Sequence, residues 1–180
     1  MQEYKLFEFA RFFLENPYQE VYLRGISRKL KISTFAVKKY ADDLVKKELL
    51  LEERRANLRY LKLNTSNVVV KYLKISLSLQ RVRDSGIVEF ILDNIRNVSS
   101  IVLFGSVAKG EDGEDSDIDL VIIGKSKTLD FVKFEKNMGR EINYHVFSWN
   151  EWNKQLTENR AFYLDVVTHG ISLYGELPVV

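Results

Sequence analysis

Residues 102–124, VLFGSVAKGEDGEDSDIDLVIIG, set a glycine-serine turn and a crowd of carboxylates between two apolar runs. The second run, Leu120-Val121-Ile122-Ile123, has the unbroken apolar character of a strand buried on both faces. Asp117 and Asp119 flank Ile118 where that strand begins, and strand side chains alternate, so both carboxylates leave one face about 7 Å apart along the chain. Alone they repel. A magnesium ion between them reverses the sign, because this hard cation takes oxygen ligands and is commonly shared with substrate phosphates. Gly105-Ser106 supplies a second half: a strand that ends in glycine and enters a helix through serine aims backbone N–H groups and a hydroxyl at an anion. Gly110 lets the following loop turn back, and Lys109 stands within reach of a phosphate, its plainer reading being an exposed loop lysine. The acids of residues 111–115 read as a solvated loop, and the apolar residues that follow exclude a calcium loop of the EF-hand kind. Phosphoryl or nucleotidyl transfer suits such a site.

Outward from this stretch the pattern alternates. Strands are expected over 101–104, 118–123, 141–147 and 171–174, a helical turn from 107, and helices over 129–138, 151–156 and 161–168. Two helices, over 67–80 and 87–96, precede them.

The N-terminal third reads differently. Apolar side chains recur at helical spacing over 4–14 until Asn16-Pro17. Phe7, Phe9, Phe12 and Phe13 read as core or as a dimer seam. A short helix over 23–30, a turn at Lys31-Ile32 and a second helix capped by Ser33 or Thr34 and running to Lys47 follow. Phe35, Val37, Tyr40, Ala41, Leu44 and Val45 supply its inner face, leaving Lys38, Lys39, Lys46 and Lys47 outward. Two strand-like runs, 49–53 and 58–63, are joined by Arg54-Arg55-Ala56-Asn57 as a hairpin with a basic tip. Helix, helix, turn, helix, hairpin is the order of a winged helix. Its basic helix, with Arg54, Arg55 and Arg59, would face double-stranded DNA, although Asp42, Asp43, Glu48, Glu52 and Glu53 lie close by. The alternative is a module that binds protein or nothing.

Composition sets the bounds. The chain has 180 residues, no cysteine and two histidines, so disulfides and thiolate metal sites are excluded and a zinc site is disfavoured. Glu3, Glu8 and Glu15 interrupt the apolar N-terminus, which argues against a signal peptide, and no run is apolar enough to cross a membrane, so a cytoplasmic protein is expected. Charge is unevenly shared: residues 1–70 carry 14 Lys and Arg against 9 Asp and Glu, and residues 101–180 carry 8 against 13. A basic and an acidic part imply modules with different partners.

With these residues in view, GSVAKG followed by DSDIDL resembles the Gly-Ser and Asp-x-Asp signature of the DNA polymerase beta-like nucleotidyltransferase superfamily, and the short length resembles its minimal members. The resemblance covers about residues 99–180. It implies that Gly105 and Ser106 bind the triphosphate of a nucleotide, with ATP the first candidate, and that Asp117 and Asp119 hold two magnesium ions. It also implies a third carboxylate on a neighbouring strand as general base. Here that strand is REINYHVFS, where Asn143 takes the aspartate's place; Glu141, one pleat earlier, is the substitute base and His145 the weaker one.

The expectation is therefore an α+β chain: a winged helix-turn-helix over 1–66, a helical connector over 67–97, and a minimal nucleotidyltransferase domain with a mixed sheet and flanking helices over 98–180. The expected activity is magnesium-dependent transfer of a nucleoside monophosphate to a hydroxyl. The resemblance implies a protein acceptor, because minimal members occur as antitoxins that modify a toxin partner. A second reading is a DNA-binding transcriptional regulator, such as a homodimer, whose nucleotidyltransferase-like domain senses nucleotide without catalysis. A third is a domain that only mediates dimerisation.

Overall fold

Among the described residues, three buried apolar clusters organise the chain. The computed structural model describes residues 2–180, divided into one unit that runs to Lys74 and another from Ile75 to Val180. The division falls inside a helix.

In the first unit, α1 (Gln2–Glu15) buries Phe9, Phe12 and Phe13, whose rings meet edge to face. Asn16 ends the helix by donating its side-chain amide to the Phe12 carbonyl at 2.7 Å. β1 (Val21–Tyr22) leads into α2 (Leu23–Leu30). The following turn uses Lys31 with φ +53° and is pinned by the buried Ser27 hydroxyl, which donates to the Ile32 carbonyl at 2.7 Å. α3 (Thr34–Lys46) is capped by Ser33, which accepts from the Ala36 N–H. β2 (Leu50–Arg55) and β3 (Leu58–Leu63) pair antiparallel, and the sheet order is β1-β3-β2.

Three details differ from the sequence expectation. β1 is new, because two residues carry no readable period; Val21 and Tyr22 add to the free edge of β3. Arg54 and Arg55 lie within β2, so the hairpin loop is only Ala56-Asn57, with Ala56 at φ +51°. Phe35 is 82% exposed instead of inward. Val37, Ala41 and Leu44 define the buried stripe of α3, and Phe35 sits two residues before Val37, about 200° around the helix.

The second unit takes in the end of α4 (Val68–Ser85), then α5 (Ile87–Asn94), β4 (Ser100–Phe104), α6 (Gly105–Lys109), β5 (Ile118–Ile123), α7 (Val132–Met138), β6 (Ile142–Phe147), α8 (Trp149–Glu158), α9 (Arg160–His169) and β7 (Ile171–Gly175). The sheet order is β6-β5-β4-β7; β5 and β6 are parallel, and the other pairs are antiparallel. This is the mixed sheet with helices that the apolar runs imply.

Alternation along β5 sorts its residues between two cores. Ile118, Leu120 and Ile122 join Ile87, Ile91 and Phe131 on one face. Val121 and Ile123 join Trp152, Tyr163 and Val166 on the other. Trp152 is fully buried and donates its indole N–H to the Pro178 carbonyl at 2.6 Å. Asp117 and Asp119 share the face of Val121 and Ile123, so α8 and α9 cover that face at the apolar end of β5 while the carboxylates lie at its start.

Candidate functional site

β4 ends where β5 begins. Phe104 pairs with Asp119, so the chain leaves β4 directly beside that carboxylate and turns into α6 through Gly105. Gly105 has φ +73°, and a Cβ built on it would stand 2.2 Å from Asp119 Oδ2. Only glycine fits, on both backbone and steric grounds. Ser106 follows as the next residue of α6, and Gly110 closes that helix at φ +68°. The loop then returns towards β5, the Glu111 N–H donating to the Ser106 carbonyl at 3.0 Å.

The parallel partner β6 supplies the third side chain. Asn143 lies in register with Asp119, and its amide donates to Asp117 Oδ2 at 2.9 Å and towards Asp119 Oδ1 at 3.5 Å. Among the described residues neither aspartate has a Lys or Arg partner. Burial raises the Asp119 carboxyl above the usual carboxylate range; the Asn143 hydrogen bond opposes the shift and the Asp117 charge adds to it.

The structure thus brings together Gly105, Ser106, Asp117, Asp119 and Asn143. Glu141 lies just before β6, where its carbonyl accepts the Ile118 N–H at 2.8 Å and its side chain is exposed. Lys109 is held by Asp165 of α9 at 2.5 Å, and the same oxygen takes His169 Nδ1 at 3.1 Å. Asp165 also adds to the field that raises Asp119. The sequence reading missed this residue, because AFYLDVVTH looks like a core helix; the only signal was an aspartate four residues before a histidine on one helix face. His145 packs its ring against Phe147 (6.0 Å, nearly parallel) and Phe162 (5.4 Å, edge to face) beside Phe104.

The acidic loop is not wholly solvated. Asp112 is buried and paired with Arg140 at 2.8 Å, and Arg140 also donates to the Gly113 carbonyl at 2.9 Å. This fastens the loop to the entry of β6.

Among the described residues no group of three or more His, Cys, Asp or Glu side chains could hold a metal ion. Two uncompensated carboxylates fit magnesium nonetheless, since this cation takes one or two protein carboxylates and completes its shell with phosphate and water. The oxygen donor set suits a hard cation.

In the first unit, α3 exposes Lys38, Lys39 and Lys46, while Lys47 pairs with Asp43 at 2.8 Å. The hairpin arginines are engaged. Arg54 meets Glu52 at 3.0 Å, Arg55 meets Glu20 at 2.6 Å and Glu53 at 2.7 Å, and Arg59 meets Asp42 and Glu52, both at 2.6 Å.

A glycine turn packed onto an Asp-x-Asp pair on a mixed sheet defines the class, and comparison with known proteins agrees. The family model described as a nucleotidyltransferase domain matches residues 85–163. A curated relative from Methanocaldococcus jannaschii, named as a protein adenylyltransferase, is 37% identical over 82 residues, which span 43% of this chain and 79% of the relative. The chain belongs to the nucleotidyltransferase domain family. A crystal structure described as a toxin-antitoxin with AMP-PNP is 25% identical, covers 50% of this chain and 71% of its own, and superposes with a TM-score of 0.37. A structure of the toxin-antitoxin MntA-HpeT is 24% identical, covers 52% and 72%, and has the same score. Among the described residues no helix is long and apolar enough to cross a membrane.

Proposed function

We propose that the chain transfers a nucleoside monophosphate from a nucleoside triphosphate to a hydroxyl acceptor. The observation that carries this reading is the close approach of Gly105 to Asp119 beside a carboxylate pair that has no Lys or Arg partner among the described residues. Asp117 and Asp119 hold magnesium, which when bound neutralises the triphosphate and lowers the pKa of the attacking hydroxyl. Gly105 and Ser106 present N–H groups and a hydroxyl to the phosphates, and Gly110 shapes their turn. Lys109, once released from Asp165, would be available to a phosphate. The acceptor oxygen bonds to the α-phosphorus, the bond from that phosphorus to the pyrophosphate oxygen breaks, and the hydroxyl proton passes to a base. Glu141 is that base, because Asn143 cannot accept a proton. The name of the Methanocaldococcus relative supports ATP as donor and a partner protein as acceptor.

Calorimetric titration with ATP, with and without magnesium, tests this. Wild type binds in a magnesium-dependent manner and releases pyrophosphate with its acceptor; Asp117→Asn/Asp119→Asn does neither. Absence of magnesium-dependent heat with any triphosphate in wild type refutes the reading.

Asn143 favours a second reading, in which nucleotide is sensed without turnover and the first unit is a winged helix on DNA. Lys38, Lys39 and Lys46 are its phosphate contacts, and the paired Arg54, Arg55, Arg59 and Lys47 contribute less. Lys38→Ala/Lys39→Ala then lowers duplex binding and the salt slope by about two counter-ions. Duplex binding indifferent to this change would remove the reading.

A further inference from the structure

The first turn of α3 exposes an aromatic ring that the core of its own unit does not take up. Phe35 is 82% exposed. With about 3.6 residues per turn, it shares with Lys38, Lys39, Asp42 and Lys46 an arc of about 100° along one side of the helix. Val37, Ala41 and Leu44 lie on the other side, against the core. The three lysines are exposed, and the one acid of the stripe, Asp42, is already met by Arg59 of β3 at 2.6 Å. The stripe therefore presents a single aromatic ring at its N-terminal end and cations along the rest. Next to it a groove of about 430 Å³ opens between the starts of α2 and α3 and the hairpin, with Arg24, Thr34, Asn57 and Arg59 among its lining residues. Arg24 is exposed as well.

Charge and shape select the occupant. Lysines and arginines match phosphates, an α-helix fits the major groove of B-DNA, and one aromatic ring is too small an apolar face to hold a helix in a lipid interface. A helix that enters the major groove by its N-terminal end turns its first side chains to the base edges. A phenyl ring there has neither donor nor acceptor, and the apolar feature that the base pairs display in that groove is the C5-methyl of thymine. Resting on the DNA reading of the first unit, we propose that Phe35 is its specificity-determining residue: the ring packs on a thymine methyl in the major groove, while Lys38, Lys39, Lys46 and Arg24 hold phosphates. Lysine and arginine contacts to phosphate fix register and carry no sequence, so the choice of base falls to the ring.

Selection of binding sites by the full chain from a pool of random duplexes, followed by replacement of each selected thymine by uracil, tests this, because the exchange removes the methyl and keeps the pairing. Wild type loses about fivefold in affinity at one thymine. Phe35→Ala binds the thymine and uracil duplexes equally and keeps the salt slope of wild type, which shows that it still docks; Phe35→Leu, apolar as well, retains a preference for thymine. Arg24→Ala keeps the discrimination and lowers the salt slope by about one counter-ion; an unchanged slope overturns that phosphate contact alone. A wild type indifferent to uracil at every thymine, or a Phe35→Ala protein that still discriminates, overturns the inference, and the DNA reading stands where both bind duplex with the same salt slope. No duplex binding by wild type at low salt, or binding of polyglutamate or anionic vesicles in its place, overturns both.

Discussion

Arg54, Arg55 and Arg59 in the first unit and Asp117 and Asp119 in the second are both clusters of like charge on paired strands, yet they are built in opposite ways. Every hairpin arginine meets an acid of its own unit, and Arg59, 16% exposed, lies between Asp42 and Glu52. The aspartates share an amide, and the Asp117 charge adds to the shift of Asp119. A cluster that supplies its own counter-charge stabilises a fold. One that does not leaves its charge to be met from outside, as the proposed function requires of Asp117 and Asp119.

The comparison breaks most sharply where the second unit does neutralise an acid. Asp112 and Arg140 are 5% and 10% exposed at the side chain, so Arg140→Met removes a charged partner from a buried carboxylate. The expected cost is about 3–5 kcal/mol of stability, read by urea denaturation of the full chain. A cost below about 1 kcal/mol would show that the pair is solvated after all.

Gly105→Ala comes next. The added methyl falls on Asp119 Oδ2, and the positive φ disfavours alanine, so the carboxylate must move. A displacement of this size at the reacting centre costs about a hundredfold in pyrophosphate release. Turnover within threefold of wild type would separate the glycine from the chemistry.

Smaller still is a test of the hairpin. Arg59→Met removes a guanidinium shared by two acids and costs about 1–3 kcal/mol, whereas Arg54→Ala, with its side chain 79% exposed, costs less than about 0.5 kcal/mol. Equal effects would mean that burial does not grade these ion pairs.

How much of this was legible in the sequence follows from range. The strand at residues 118–123 and the turn at Gly105 were readable because four apolar residues in a row and a Gly-Ser pair are local signals. The convergence of Asp117, Asp119 and Asn143 needed the parallel register of β5 and β6, which the family resemblance suggested and periodicity alone does not give. Asp165 and Arg140 escaped notice because each acts on a partner 56 or 28 residues away in sequence, and the one local mark, His169 four residues after Asp165, does not point to Lys109. Phe35 was misplaced because apolarity was taken as burial before the helical phase of Val37, Ala41 and Leu44 was applied.

The smallest effect tests the sign of the comparison itself. Burial holds the Asp119 carboxyl above its unfolded value, so its protonated form contributes stability that is fully present below the unfolded value and is lost as pH rises through the folded one. At neutral pH and without metal, Asp119 is therefore a liability to the fold. Glu53 has the reverse sense: its hydrogen bond from Arg55 lowers it, so its contribution is present above the unfolded value and lost as pH falls. Melting curves from pH 7 to pH 3 without magnesium should show Asp119→Asn more stable than wild type at pH 7 and the gain shrinking as the solution is acidified. Glu53→Gln should be slightly less stable at pH 7, with its deficit shrinking over the same descent. Added magnesium and ATP should raise the melting temperature of wild type and leave Asp119→Asn where it was. An Asp119→Asn protein that melts below wild type at pH 7 would place this carboxylate with the hairpin pairs, as a charge the fold has already satisfied.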